Sequence, residues 1–252
     1  MLTILWQTKH IIIAQTTAGL AHSPKVNDYG FNVGLHVGDD ASTVLQHRAT
    51  LLTALQPYGV TELAWVNQVH GNHVASYNQP SLLLTDADSL VSDKAQAGLC
   101  IMTADCVPIA LFTGDGQKIA CIHAGHQGLS NGVIAHTVAK MPKVHLSAYI
   151  GACISGAHYE IPETLATSIV KACVDGNLND ATIHQAISPQ GDGKVLLDVA
   201  LIARQQLQKL GVAVLNEQVA CTYRGDYHSY RRAFHHKDCA CLLYTSDAAD
   251  ER

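Results

Sequence analysis

The chain has 252 residues, 48% apolar and 15% charged, with a formal charge of −5. That length and composition fit one large domain or two small ones with a substantial core, and the negative charge argues against a broad nucleic-acid surface. Eight unevenly spaced cysteines fall far short of a disulfide scaffold, and the N-terminal apolar stretches, interrupted at Lys9-His10, are shorter than a bilayer span, so a reduced, cytoplasmic chain with no membrane partner is expected.

Residues 1–20 read as two short strands, and Gly30–Gly38 as a glycine-punctuated loop. Asp40 or Ser42 can cap a helix over 43–56, with Leu45, Leu52 and Leu55 among its apolar positions and Pro57 and Gly59 at its end. Glu62–His70 reads as a strand and His73–Tyr77 as another; Ser81–Leu84 leads into Asp86-Ala87-Asp88. Leu99–Thr103 reads as a buried strand. Beyond His123 a helical pattern covers 129–140, Val144–Gly151 is a strand, and Pro162 opens a helix reaching Val174. Val195–Leu197 is strand-like, Asp198 caps a helix to Leu210, and Gly211 stops it. Val212–Leu215 and Gln218–Thr222 are short and ambiguous. This irregular alternation predicts a single α+β domain with mixed sheets. Cys241–Arg252 resembles read-through of a sequencing-library adapter, so the domain is read as 1–240 and the native C-terminus is expected to be missing.

Val107–Thr113 and Gln117–Ile122 read as a hairpin across Gly114-Asp115-Gly116. If Gly114-Asp115 is the loop, Cys106 faces His123; if Asp115-Gly116 is the loop, Cys106 faces Gly125 and is diagonal to His123. Pro108 cannot donate to a ladder, so it implies an edge, a strand start or a bulge. A thiolate and an imidazole so close suit zinc or copper ligation, or a nucleophile–base pair. His70, at the end of another strand-like run, could complete a three-ligand set with a fourth position open to water or substrate. Ordinary core histidines and a buried thiol are the plain alternative.

Weaker candidates surround these three. His70 and His73 are expected on different strands, and His235, His236, Cys239 and Cys241 form a cluster that relies on the tail. Cys100, Cys121, Cys153, Cys173 and Cys221 read as core or site-wall thiols, with Cys121 the best spare ligand. The Gly125–Gly128 turn, opening a helix, could hold an anion through free N–H groups. Arg48, on the core side of its helix, wants a carboxylate or an anionic ligand, and Arg231 and Arg232 could serve similarly. Asp86, Asp88, Asp93 and Asp105 are the nearby carboxylates that could shuttle a proton or orient an imidazole, and Asp105 should point away from Cys106.

The ordered set Asn67-Gln68-Val69-His70-Gly71, Thr103-Ala104-Asp105-Cys106, His123-Ala124-Gly125, Ile150-Gly151-Ala152-Cys153 and Ser229-Tyr230-Arg231-Arg232 resembles the YfiH family. That family has been called both multicopper polyphenol oxidase (laccase-like) and purine nucleoside phosphorylase. Phe31–Asp40 is similar to its N-terminal loop motif, and the match runs from about Gly19 to Arg232. The resemblance implies mixed β-sheets packed centrally with helices outside. It implies one zinc ion on His70, Cys106 and His123, with copper as the older alternative. It implies substrate contacts from Arg48, Gln68, Asp88, Gly125, Gly128 and Arg231. The implied substrates are a purine nucleoside and phosphate, released as base and ribose 1-phosphate, with adenosine deamination and methylthioadenosine phosphorolysis also credited to the family.

The chain departs from that pattern where relatives usually read His-Ala-Gly-Trp-Arg-Gly: here His126 and Gln127 replace the aromatic wall and the cation. If the arginine holds phosphate, water competes better here. Ala152 replaces a proline, and His47 precedes Arg48 where an asparagine is usual. Three other readings stand beside the zinc enzyme: a copper oxidase of phenols, a metal-free hydrolase with Cys106 as nucleophile and His123 as base, and a binding domain without catalysis.

Overall fold

The computed structural model describes residues 2–19, 29–80, 84–175 and 184–236. The proposed tail, and Cys239 and Cys241, lie outside the described residues. The architecture is α+β, as expected.

Its centre is a mixed six-stranded sheet. β4 (Val74–Ser76) runs parallel to β5 (Ser89–Ser92), which pairs antiparallel with β8 (Ile119–Ala124). β7 (Val107–Thr113) lies between β8 and β9 (Leu146–Ile150), and β13 (Ala213–Val214) closes the far edge. A hairpin of β1 (Leu2–Gln7) and β2 (Ile12–Thr16), a parallel pair of β3 (Glu62–Ala64) and β6 (Ala97–Leu99), and a sheet of β10 (Glu160–Pro162), β12 (Lys194–Leu197) and β11 (Ile187–Gly191) complete the strands. The helices are α1 (Ala41–Leu55), α2 (His126–Ser130), α3 (Val133–Lys140), α4 (Glu163–Asp175), α5 (Val199–Lys209) and α6 (Tyr230–His236). Among the described residues none is long and apolar enough to cross a membrane.

The local stop signals work as read. Asp40 caps α1 by accepting from the Thr43 N–H at 2.8 Å, and Asp198 caps α5 through Leu201 at 2.9 Å. Gly59 and Gly211 take the left-handed conformation that ends their helices. Leu45, though apolar, is exposed, while Val44 and Leu51 carry the buried face.

Four expectations need correction. The strand expected over Glu62–His70 ends at Ala64, and that expected over Leu99–Thr103 ends at Leu99. Beyond both, a side chain replaces the ladder: the Gln68 carboxamide donates to the Met102 carbonyl at 2.7 Å and accepts its N–H at 2.8 Å. The helix expected over 129–140 starts earlier and is broken at Gly132, which has φ 77°. Pro162 ends β10 rather than opening α4. The β7–β8 hairpin takes the register in which Pro108 faces His123 and Val107 faces Ala124. Its loop spans four residues, because the Asp115 carboxylate accepts from both the Thr113 hydroxyl (2.6 Å) and the Gln117 N–H (3.0 Å). Pro108 sits near the start of its strand, as a residue without an N–H should.

Candidate metal centre

Strand alternation turns Val107, Ile109 and Leu111 to one side of β7 and Pro108, Ala110 and Phe112 to the other. On β8, His123 shares the second side with Cys121 and Ile119. Cys106, one residue before β7, continues that side and comes opposite Gly125, diagonal to His123. His70 arrives from a loop in the left-handed conformation, φ 58°, and Asp105 beside Cys106 has φ 97°. Such backbone costs about 1–3 kcal/mol and is held only where surrounding contacts fix it.

The three side chains converge. One ligand atom from each of His70, Cys106 and His123 lies within 4.8 Å of the others, the one such group among the described residues. The two imidazoles meet edge to face with centroids 4.6 Å apart. Gly125 makes the approach possible: a Cβ there would stand 2.8 Å from Cys106 Sγ and 3.4 Å from His70 Cδ2.

Asp88 organises this group from behind. It is fully buried and accepts the backbone N–H groups of His70 (2.9 Å), Gly71 (2.7 Å) and Val69 (3.3 Å). Its Oδ1 also lies 2.8 Å from His123 Nδ1. Burial pushes the carboxyl pKa up, but the bonds from His123, Gly71 and Val69 outweigh it and hold the group below its usual range. The carboxylate therefore accepts a hydrogen bond from Nδ1–H of His123 and leaves Nε2 to face the other two ligands. One buried anion thus fixes both the loop of His70 and the tautomer of His123.

The donor set passes a test of fit for a metal ion. Tetrahedral zinc, with bonds of about 2.0–2.3 Å to nitrogen and sulfur, holds its ligands roughly 3.3–3.8 Å apart. Side-chain shifts of about 1 Å would bring the three atoms to that spacing, and His₂Cys with an oriented imidazole is a ligand chemistry zinc and copper both accept.

A cavity of about 1390 Å³ opens over the group. Of the residues expected around a substrate, Gln68, Gly125 and Arg231 line it; Arg48, Asp88 and Gly128 do not. Gln68 is committed to Met102. Among the described residues Arg48 meets no carboxylate: it donates to the Val33 carbonyl at 2.8 Å and stacks over Trp65 at 4.1 Å. Asp88 lies beneath the ligands, and Gly128 packs against Gly71 and His123 carbonyls. Arg231 is buried, with its guanidinium bonded to the Glu160 carbonyl and 5.1 Å from the Tyr159 ring. Asp105 accepts from Thr222 Oγ1 (2.6 Å) and Arg231 N–H (2.7 Å).

Cys121 faces Ala110 rather than Pro108 and does not join the ligands. His73 is turned to the Asp86 carbonyl at 2.8 Å, and Asp86 accepts from Asn67 at 2.7 Å. At the altered turn, His126 lines the cavity with its Nδ1 3.1 Å from Tyr159 Oη, whereas Gln127 is not part of the wall. Tyr159 and His36 are among the wall residues that the sequence reading did not single out. Tyr159 gave no signal, but His36 sits in the Leu35–Gly38 loop motif; burial, then Arg48, His70 and His123, lower its pKa and keep it neutral.

The family described as "Multi-copper polyphenol oxidoreductase laccase" matches residues 12–239. A purine nucleoside phosphorylase of Corynebacterium glutamicum is 31% identical over 232 residues, covering 88% of each chain. Purine nucleoside phosphorylase YfiH of Shigella flexneri is 30% identical over 80% of each. The crystal structure of Neisseria meningitidis protein NMB0706 superposes with a TM-score of 0.71 at 30% identity, covering 86% of this chain and 84% of that one.

Proposed function

The chain belongs to the multi-copper polyphenol oxidoreductase laccase family, which includes the YfiH-type proteins, and from that premise we propose that it is a zinc-dependent purine nucleoside phosphorylase of the cytoplasm. Its substrates on this reading are phosphate and adenosine, inosine, guanosine or methylthioadenosine, with deamination of adenosine as a second reaction of the same site. The observation that carries the proposal is the convergence of His70, Cys106 and His123 beneath a cavity large enough for a nucleoside.

A zinc ion held by those three side chains would supply Lewis acidity to the departing base. The chain's own residues supply the rest. Asp88 orients His123 through Nδ1 and fixes the loop of His70. Gly125 leaves room above the ligands. In phosphorolysis a phosphate oxygen forms the bond to the sugar while the bond to the base breaks, so positive charge grows on the sugar between two anions. Arg231 offers the wall a cation for phosphate, in a chain where the usual turn arginine is Gln127 and lies off the wall.

The test is purification without chelator, metal analysis, and chromatography of adenosine with and without phosphate. Adenine and ribose 1-phosphate formed only with phosphate, lost on chelation and restored by zinc, are expected. Inosine without phosphate would assign deamination. Turnover indifferent to metal removal would favour the Cys106–His123 hydrolase. Phenol oxidation with copper, without nucleoside turnover, would overturn the proposal.

A further inference from the structure

We propose that Cys153 and Cys221 form a redox-active dithiol, closed to a disulfide by peroxide, at a site distinct from the metal centre. The two cysteines face each other as an isolated parallel bridge. The Cys153 N–H donates to the Ala220 carbonyl at 3.1 Å, and the Thr222 N–H donates back to the Cys153 carbonyl at 2.9 Å. Facing residues on neighbouring strands have Cα atoms about 4.8 Å apart, inside the roughly 4.4–6.8 Å window of a disulfide, and their side chains leave on the same side. Both are free cysteines here.

The two thiols differ in a way that suits an attacking and a resolving partner. Cys153 is 1% exposed, and burial, then the Asp198 charge, hold it protonated. Cys221 is partly exposed, and its sulfur accepts the Ser155 N–H at 3.4 Å. His158 Nδ1 stands 3.6 Å from the same sulfur and 3.0 Å from Ser155 Oγ. Arg224 Nε donates to His158 Nε2 at 3.2 Å, which requires the proton of a neutral ring to be on Nδ1, the nitrogen nearest Cys221. Tyr223 stacks on the imidazole with centroids 4.6 Å apart and holds its plane. The Ser155 N–H therefore points at the accessible sulfur, and the His158 Nδ1 proton lies within reach of both that sulfur and Ser155 Oγ.

The chemistry balances with hydrogen peroxide as oxidant. Cys221 sulfur bonds to one peroxide oxygen as the O–O bond breaks, giving a sulfenic acid and one water. Cys153 sulfur then displaces that hydroxyl; the S–S bond forms, the S–O bond breaks, and the Cys153 proton leaves in a second water. Two thiols lose two electrons and one peroxide gains them. The same two segments grip Asp105, through the Ile154 N–H at 2.9 Å and the Thr222 hydroxyl at 2.6 Å, so the cross-link lies one hydrogen bond from the neighbour of Cys106.

The experiment uses the reduced full chain, with equimolar hydrogen peroxide near neutral pH. Remaining thiols are blocked with N-ethylmaleimide, and the protein is digested without reductant. Mass spectrometry should find peptides joined through Cys153 and Cys221, two hydrogens lighter than the reduced pair, in most of the protein and released by dithiothreitol. Cys153→Ser should instead accumulate a Cys221 sulfenic acid that dimedone traps. His158→Phe, which keeps a ring for Tyr223 to stack on, should slow linkage several-fold, an effect that a purely structural histidine would not have. The unsubstituted chain decides the matter even if a variant fails to fold. Over-oxidised Cys221 without the link, or Cys221 joined to another cysteine, overturns the proposal.

Discussion

The two faces of the central sheet are finished differently. On one, Val107, Ile109 and Leu111 of β7 and Ala120, Ile122 and Ala124 of β8 join a continuous core with α3 and α5, and none is more than 4% exposed. On the other, Phe112 packs with Ile11 and Ile13 from the N-terminal hairpin, and Leu90 with Ala64 and Val66, in small separate clusters around the cavity. The same two strands thus serve a filled face and a hollow one, by side-chain alternation alone. The filled face fixes the register, because a one-residue slip would send its aliphatic side chains into the cavity and His123 into the core. Holding the hollow face in register is what lets a ligand set stand there without packing of its own.

Substitutions on each face should therefore separate stability from metal binding. The largest effect is expected for Cys106→Ala or His70→Ala. Metal affinity should fall by more than about 100-fold and activity should vanish, with a melting temperature within a few degrees of the unsubstituted apo-protein. Elemental analysis beside calorimetry checks both halves, and collapse of the apo fold would erase the distinction between the faces. Leu111→Ala, on the filled face, should lose about 2–5 kcal/mol in denaturant unfolding while metal affinity holds. Asp88→Asn joins the two faces and should act on both. A carboxamide cannot satisfy three N–H donors and an imidazole equally, so a 10–100-fold loss of metal affinity is expected by chelator competition, with a lowered melting temperature.

The smallest effect tests a helix far from this boundary. Hydrogen bonds from the Thr43 backbone and side chain hold the Asp40 carboxyl below its usual range. A depressed folded pKa stabilises above the unfolded value, and that contribution is lost as pH falls through the folded one. The melting-temperature gap between the parent and Asp40→Ala should stay constant above about pH 5 and close in stronger acid.

What could be read from the sequence divides along the range of the contacts. Asp40, Asp198 and Gly211 were legible because a cap acts within a turn of its own residue. The ligand types at His70, Cys106 and His123 were legible from their chemistry and from the order of the motifs. The hairpin register was not decided, because the choice rested on one side chain, Asp115, closing a four-residue loop. The strands through His70 and Thr103 were drawn too long because apolar character continues past the point where Gln68 takes over from the backbone. That a carboxylate could orient an imidazole was read for Asp86, Asp88, Asp93 and Asp105 together; which of the four does so was hidden, since the partners of Asp88 at 69–71 and 123 have no fixed spacing from it in the sequence. Arg48 was read as a core-side cation wanting a carboxylate or an anionic ligand; its protein partners are the Val33 carbonyl, the Met102 sulfur and the Trp65 face, and such contacts leave no pattern in the sequence.

The origin of the three donors also gives the seat an order of assembly. Cys106 and His123 arrive on one hairpin, a short-range structure that closes on the microsecond scale, while His70 waits on a loop whose backbone N–H groups Asp88 fixes. A cation offered to the nascent chain would meet a two-pronged chelate, and the third prong would be added when the distant carboxylate docks. Loading after folding would find every prong in place, so refolding with and without zinc should reach the same end by different routes, and the slower phase should belong to the loop.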